Sequence, residues 1–135
     1  MKLIYLNKTS EKVSKTLFTK ILKCLPKVEP QLTQTELELL LTNDTEIQNL
    51  NRNYRGKDRP TDVLSFSLED EHTLGQIVIS VERARAQAET LDQPLEEELR
   101  FLFAHGLMHL CGYDHETPEE EAVMLPKTYQ VLGRI

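Results

Sequence analysis

The chain has 135 residues, 39% of them hydrophobic, and a formal net charge of −6, which together predict one globular domain over residues 1–135. The acidic balance weighs mildly against an obligate nucleic-acid binder, which usually carries a basic excess. No apolar run reaches membrane-spanning length, and the first residues turn polar too early for a secretory signal. We therefore expect a cytoplasmic protein with no membrane partner and with reduced cysteines.

Hydrophobic periodicity predicts the elements in chain order. The first four are a strand over 3–6, a helix that begins after Thr9 or Ser10 and is closed by Pro26, a strand over 37–41 and a helix opened by the capping-box pair Thr45 and Gln48. The others are a strand over 63–68, a strand over 76–80 entered at Gly75, a helix capped by Ser80, a long helix from Pro94 and a last helix that is capped by Thr117 and kinked or split by Pro126. This order predicts an α+β fold with about five helices on a mixed four-stranded sheet that has one antiparallel strand.

Three of the four histidines fall within eleven residues, on the long helix and in the turn that follows it. His105 and His109 are four residues apart, so on a helix they project from the same face. Gly112 can take the positive φ that ends a helix, and the turn after it can bring His115 to face the other two. Three imidazoles with an open fourth position describe a catalytic zinc site with one ion per chain, although nickel, copper or iron would also accept this set of ligands.

The histidine spacing is that of the metzincin proteases, but Gly106 stands where those enzymes have a glutamate. That glutamate is the general base of a zincin, so its absence closes the usual route to peptide hydrolysis. A zincin-like metalloprotease is therefore the second interpretation, and a non-catalytic ribosome-binding module with a closed, structural zinc site is the third. A glycine inside a helix costs about 1 kcal/mol against alanine. Gly106 therefore provides either room for a substrate beside the metal or close packing of the helix on the sheet.

Three other residues have side chains that could bind or orient a metal, and the sequence predicts a different role for each. Cys111 is on the other side of the helix from His109, which favours a buried apolar role. Asp114 could orient a ligand histidine or cap the turn, and the sequence favours neither. His72 lies in a separate polar loop and is predicted to be a surface residue.

A polar loop between the second predicted helix and the third predicted strand concentrates positive charge. It carries Arg55, Lys57 and Arg59. A guanidinium group forms paired hydrogen bonds with phosphate, and a reaction driven by metal-activated water needs a cation that neutralises the developing charge. The loop is therefore a candidate phosphate-binding site, although a charged loop taken alone is more often simply solvated.

Three segments of the chain resemble the YbeY family. They are the histidine motif over 105–115, the arginine-bearing segment over 54–66 and the glycine-containing segment over 74–79. The members of that family are bacterial single-strand-specific metallo-endoribonucleases that mature the 3′ end of 16S ribosomal RNA and act in ribosome quality control. The resemblance implies single-stranded ribosomal RNA and the ribosome, or its small subunit, as partners.

The resemblance also implies the residues that carry out the reaction. It implies a functional arginine at Arg55 and a zinc ion held by three ligands, His105, His109 and His115. We therefore expect zinc-bound water or hydroxide to be the activated group, with Arg55 stabilising the phosphoryl transition state. Lys57 and Arg59 are expected to bind the RNA backbone.

Overall fold

The structure, a computed structural model, describes residues 1–68, 70–114 and 116–133. Across these residues the elements in chain order are β1 (Lys2–Asn7), α1 (Thr16–Leu22), α2 (Leu25–Val28), β2 (Glu36–Thr42), α3 (Asp44–Arg55), β3 (Val63–Ser67), β4 (Thr73–Ser80), α4 (Val81–Thr90), α5 (Leu95–Leu110) and α6 (Pro118–Val131). Helix α2 is a single turn of four residues, so the longer helices number five, as predicted. None of the helices described is long and apolar enough to cross a membrane.

The four strands form one mixed sheet in the order β1-β2-β4-β3. Strands β1, β2 and β4 are parallel, and β3 pairs antiparallel with β4. The connection from β3 to β4 is short, and a short connection can join only antiparallel neighbours. The predicted α+β class and the mixed sheet with one antiparallel strand are confirmed.

Helix α5 lies at the centre of the fold and contacts α1, α4, α6, β3 and β4. Its residues Leu99, Phe103 and Leu107 are fully buried in the main core. Helix α3 packs on the other face of the sheet, where Ile47 and Val78 belong to a second, smaller cluster. Successive residues of a strand point to opposite faces, so the two clusters are separated by the sheet itself. The sheet therefore stands between α5 and α3, and their two chain segments can meet only around its edge.

The first helix differs from the prediction at both ends. It begins at Thr16, after Lys15, and no side chain caps it. The predicted cap Thr9 is used elsewhere, because its backbone N–H and its hydroxyl both donate to the side chain of Asn7. Pro26 does not close the helix but lies in the first turn of α2, where the missing N–H of a proline breaks no helical hydrogen bond.

Three later predictions also need correction. Helix α3 is capped by Asn43, whose side chain accepts from the N–H of Glu46 at 2.9 Å, and not by Thr45. Strand β4 begins at Thr73, before the predicted start, because its pairing with β2 extends to that residue. Helix α6 continues unbroken through Pro126, which lies on the exposed side of the helix.

Candidate active-site cleft

A cleft of about 500 Å³ opens along the free edge of the sheet. Its walls come from four parts of the chain: strand β3, the end of α3 with the loop that follows it, one face of α5 and the segment after α5. Strand β3 is the last strand of the sheet, and its alternate residues Val63, Ser65 and Ser67 line the cleft. The edge of β3 is thus where the segments that flank the sheet come together.

His105 and His109 both line this cleft from α5. Their ring centroids are 5.2 Å apart and their planes stand at 89°, as expected for side chains one helical turn apart. Phe101, one turn earlier on the same face, stacks on His105 with ring centroids 5.7 Å apart and an interplanar angle of 21°. The third predicted ligand, His115, lies outside the described residues, so its place beside the pair stays a prediction.

The turn after α5 is fixed by backbone and side-chain contacts. Gly112 has a φ of 101°, and its N–H donates to the carbonyl of His109 at 3.0 Å, which ends the helix as predicted. Hydrogen bonding to the carboxylate of Glu29, together with burial and the nearby charges of Glu29 and Cys111, raises the pKa of Tyr113 to about 12. Asp114 follows and lines the cleft, so both of the roles considered for it stay open.

Cys111 occupies the apolar position predicted for it. Its half-buried side chain packs against the main core. Burial raises the pKa of the Cys111 thiol to about 12, and the negative charge of Glu29 adds to the rise. A cysteine binds zinc as the thiolate, so this environment disfavours Cys111 as a ligand. His72 is exposed in its loop outside the cleft, as predicted.

The basic loop begins where α3 ends. Arg55 is the last residue of α3, and Gly56 takes the left-handed φ of 69° that turns the chain out of the helix. Buried Asn51 donates from its side-chain amide to the carbonyl of Arg59 at 2.9 Å, which ties the loop back to α3. Arg55, Lys57 and Arg59 are exposed and all three line the cleft that His105 and His109 line.

One buried carboxyl group interacts with the cleft residue Asp62. Burial raises the pKa of Glu98, and the amide of Gln93, which donates to it at 2.8 Å, lowers it in part. The negative charge of Asp62 raises the pKa of Glu98 further.

Gly106 allows α5 to approach the sheet closely. A Cβ atom at this position would lie 2.9 Å from the hydroxyl oxygen of Ser65 and 3.1 Å from a methyl group of Ile77. Ser65 donates to the carbonyl of Gly106 at 3.2 Å, so helix and strand are joined at this point. Of the two explanations for a glycine in mid-helix, the structure supports close helix–sheet packing.

Gly106→Val should destabilise the protein through this contact. Ile77 is fully buried and cannot yield, so we expect the free energy of unfolding to fall by about 1–3 kcal/mol. Urea unfolding followed by circular dichroism measures the change. The matched control Glu96→Val puts the same side chain on the exposed side of α5 and should cost less than about 1 kcal/mol. Equal losses in the two variants would contradict the packing explanation.

Sequence reasoning missed several residues of the cleft. Phe101 precedes His105 by four positions, so helical spacing alone predicts that they share a face. Ser65 lies two positions after Val63 on β3, so the two share a face of the strand. This pattern is a weaker indication than helical spacing, because it does not say which face of the strand meets a helix. Glu116 also lines the cleft, and no pattern in the sequence points to it.

Two donors suited to a zinc ion lie among the described residues, and those residues contain no group of three side chains placed to hold a metal. Two half-buried imidazoles on successive turns of one helix, facing a cleft large enough for water, are the ligand pair found in zinc hydrolases. Carboxylates such as Asp114 line the same cleft and can accept a hydrogen bond from a ligand imidazole. The same cleft is lined by Arg55, Lys57 and Arg59, and cations of this kind can stabilise the charge on a transferring phosphoryl group.

Comparison with known proteins identifies the family. The family model for endoribonuclease YbeY matches residues 4–135. The endoribonuclease YbeY of Lysinibacillus sphaericus is 45% identical over 130 residues, which cover 86% of this chain and 82% of that protein. The endoribonuclease YbeY of Brevibacillus brevis is 40% identical over 96% of this chain and 94% of that protein.

A solved structure is similar over almost the whole chain. The solution structure of TM1509 from Thermotoga maritima superimposes with a TM-score of 0.64 at 29% identity, over 98% of this chain and 90% of that one. The chain belongs to the endoribonuclease YbeY family, and the resemblance seen in its motifs is confirmed.

Proposed function

We propose that this chain is a single-strand-specific, zinc-dependent endoribonuclease of the cytoplasm. Its proposed substrate is ribosomal RNA bound to the ribosome or its small subunit, in the maturation of the 3′ end of 16S ribosomal RNA and in ribosome quality control. The observation that carries the proposal is that His105, His109 and the basic loop line one cleft in a member of the endoribonuclease YbeY family.

The proposed metal ligands are His105, His109 and, by the family resemblance, His115. When bound, zinc would supply Lewis acidity and water activated near neutral pH. The ring of Phe101 stacked on His105 restricts the rotation of that imidazole, which favours a fixed ligand geometry. His105 thus needs little rearrangement on binding the ion.

The basic loop is the proposed binding site for the RNA backbone. Arg55 can donate two parallel hydrogen bonds to phosphate oxygens and stabilise the charge that develops on the phosphoryl group. Lys57 and Arg59 would bind the neighbouring phosphates. The chain carries a net charge of −6, so an RNA strand is repelled by much of the surface and attracted by the loop.

One observation favours a metalloprotease as the second candidate. The free edge of β3 lies in the cleft beside the histidines, and an extended peptide can pair with a free strand edge. Two features oppose a protease. Position 106 carries no carboxylate, and a side chain at that position would point toward Ser65 and Ile77. The ribonuclease is therefore the better supported proposal.

Parallel cleavage assays distinguish the candidates. Metal-loaded protein is incubated with a labelled single-stranded RNA, with the corresponding duplex and with casein, each with and without chelator. We expect chelator-sensitive cleavage of the single strand alone, restored by added zinc. Cleavage of casein would support the protease, and binding of ribosomal subunits without cleavage would support the non-catalytic module.

A further inference from the structure

Tyr54 presents an aromatic ring to solvent beside the basic loop. It lies in the last turn of α3, directly before Arg55, and 71% of its surface is exposed. A tyrosine normally buries most of its ring, because the ring is a large apolar surface. Its exposure next to a candidate phosphate-binding loop therefore indicates a surface that a binding partner covers.

The ring of Tyr54 is held in a defined orientation. It contacts Phe66 edge to face, with ring centroids 5.5 Å apart and an interplanar angle of 65°. Phe66 lies on β3 between Ser65 and Ser67, and it points away from the cleft that those serines line. Tyr54 and the histidines thus lie on opposite sides of the edge of β3. One side of the Tyr54 ring contacts Phe66, and the rest of the ring faces solvent.

The charge around this ring indicates the class of partner. Arg55, the next residue, and Lys57 and Arg59 in the following loop all line the cleft. Exposed aromatic rings combined with cations along a groove are the common binding site for single-stranded nucleic acid, whose bases stack on the rings while the cations bind phosphates. A single strand that enters the cleft past the basic loop passes beside Tyr54.

We propose that Tyr54 is a base-stacking subsite that binds one unpaired base of the RNA, adjacent to the nucleotides held in the cleft. The proposal rests on the proposed ribonuclease function and adds to it a source of single-strand preference. In a duplex the faces of the bases are covered by their neighbours, so a base can stack on Tyr54 only after it leaves the helix. Stacking is tolerant of sequence, because every base has a π face.

The first test separates binding from chemistry with Tyr54→Leu and Tyr54→Phe. Single-turnover cleavage of a short single-stranded RNA gives the half-saturating protein concentration and the maximal rate. We expect Tyr54→Leu to raise the half-saturating concentration by about 5- to 150-fold and to leave the maximal rate unchanged. Tyr54→Phe should behave as the parent. The slope of affinity against salt should stay the same, because no phosphate contact is lost.

The second test needs binding alone and uses the absence of tryptophan from the chain. Tyr54→Trp introduces a single tryptophan whose fluorescence should be quenched when RNA stacks on it. Leu91→Trp, on an exposed side chain at the end of α4 outside the cleft, is the matched control and should show no quenching. An RNA with abasic sites should bind the Tyr54→Trp protein without quenching.

The outcomes separate this subsite from the function on which it rests. If Tyr54→Leu has the half-saturating concentration of the parent, or if RNA quenches the two tryptophan variants equally, the proposed subsite is wrong. The proposed ribonuclease function is not affected by either result. Failure of the parent protein to bind or cleave any single-stranded RNA overturns the proposed function and the subsite together. A lower maximal rate with unchanged half-saturation would also contradict the subsite, because stacking outside the cleft contributes to binding only.

Discussion

Replacing His109 with alanine should remove zinc and, with it, RNA cleavage. Two imidazoles hold the ion much less firmly than three, so we expect protein purified without added metal to fall from about one zinc per chain to well below it. Loss of a metal that stabilises the transition state by several kcal/mol slows cleavage on the order of a thousand-fold or more. Elemental analysis and single-turnover cleavage measure the two effects.

His72→Ala is the matched control for this experiment. His72 is exposed in a loop outside the cleft, so its removal should change neither the zinc content nor the rate. A ligand that binds only the folded state stabilises it, so we expect chelator to lower the melting temperature of the parent and to leave that of His109→Ala unchanged. Full zinc occupancy in His109→Ala would show that His109 is not a ligand.

Local patterns were sufficient to predict most of the elements. Ser80 and Thr117 cap helices α4 and α6 as predicted, each accepting from the backbone N–H three residues later. The cap of α3 was placed wrongly because Asn43 and Thr45 are both good cap residues within three positions. Only the backbone conformation distinguishes them, and the extended ψ of 174° at Asn43 is the feature that a sequence does not contain.

The close contact at Gly75 lies beyond sequence reasoning. A Cβ atom at Gly75 would lie 2.5 Å from the backbone oxygen of Phe66 and 2.6 Å from the side chain of Leu110. The sequence marked Gly75 as a turn because glycine often occupies turns, whereas here it lets the end of α5 rest on β4. Such a contact depends on which helix crosses which strand, and that is decided by the packing of the whole chain.

The same limit applies to the assembly of the cleft. Arg55 and His105 are fifty positions apart, and nothing in the periodicity of α3 or α5 says that their ends meet. They meet because β3 takes the outer place in the sheet order, which leaves its edge between them. The candidate residues of the cleft could thus be chosen from the sequence, but only the fold shows that they lie in one cleft.

Replacing Arg55 with alanine should slow cleavage while leaving the fold and the zinc content intact. Loss of a positioned cation opposite an anionic transition state costs about 2–4 kcal/mol of barrier, a rate loss of roughly thirty-fold to a thousand-fold. Arg55 is exposed at the C-terminal end of α3, where a cation contributes about 0.3–1 kcal/mol to helix stability. The melting temperature should therefore fall only slightly. Single-turnover cleavage of single-stranded RNA by metal-loaded protein measures the effect.

Two further variants show what the Arg55 side chain contributes. Arg55→Lys keeps the charge but loses the paired hydrogen bonds of the guanidinium group, so it should also cleave slowly. Arg85→Ala is the matched control, because Arg85 is exposed on α4, pairs with Glu11 and lies outside the cleft. Parental cleavage by Arg55→Ala would show that Arg55 is a solvated surface residue, and the role of transition-state cation would pass to Arg59 or Lys57, whose side chains line the same cleft.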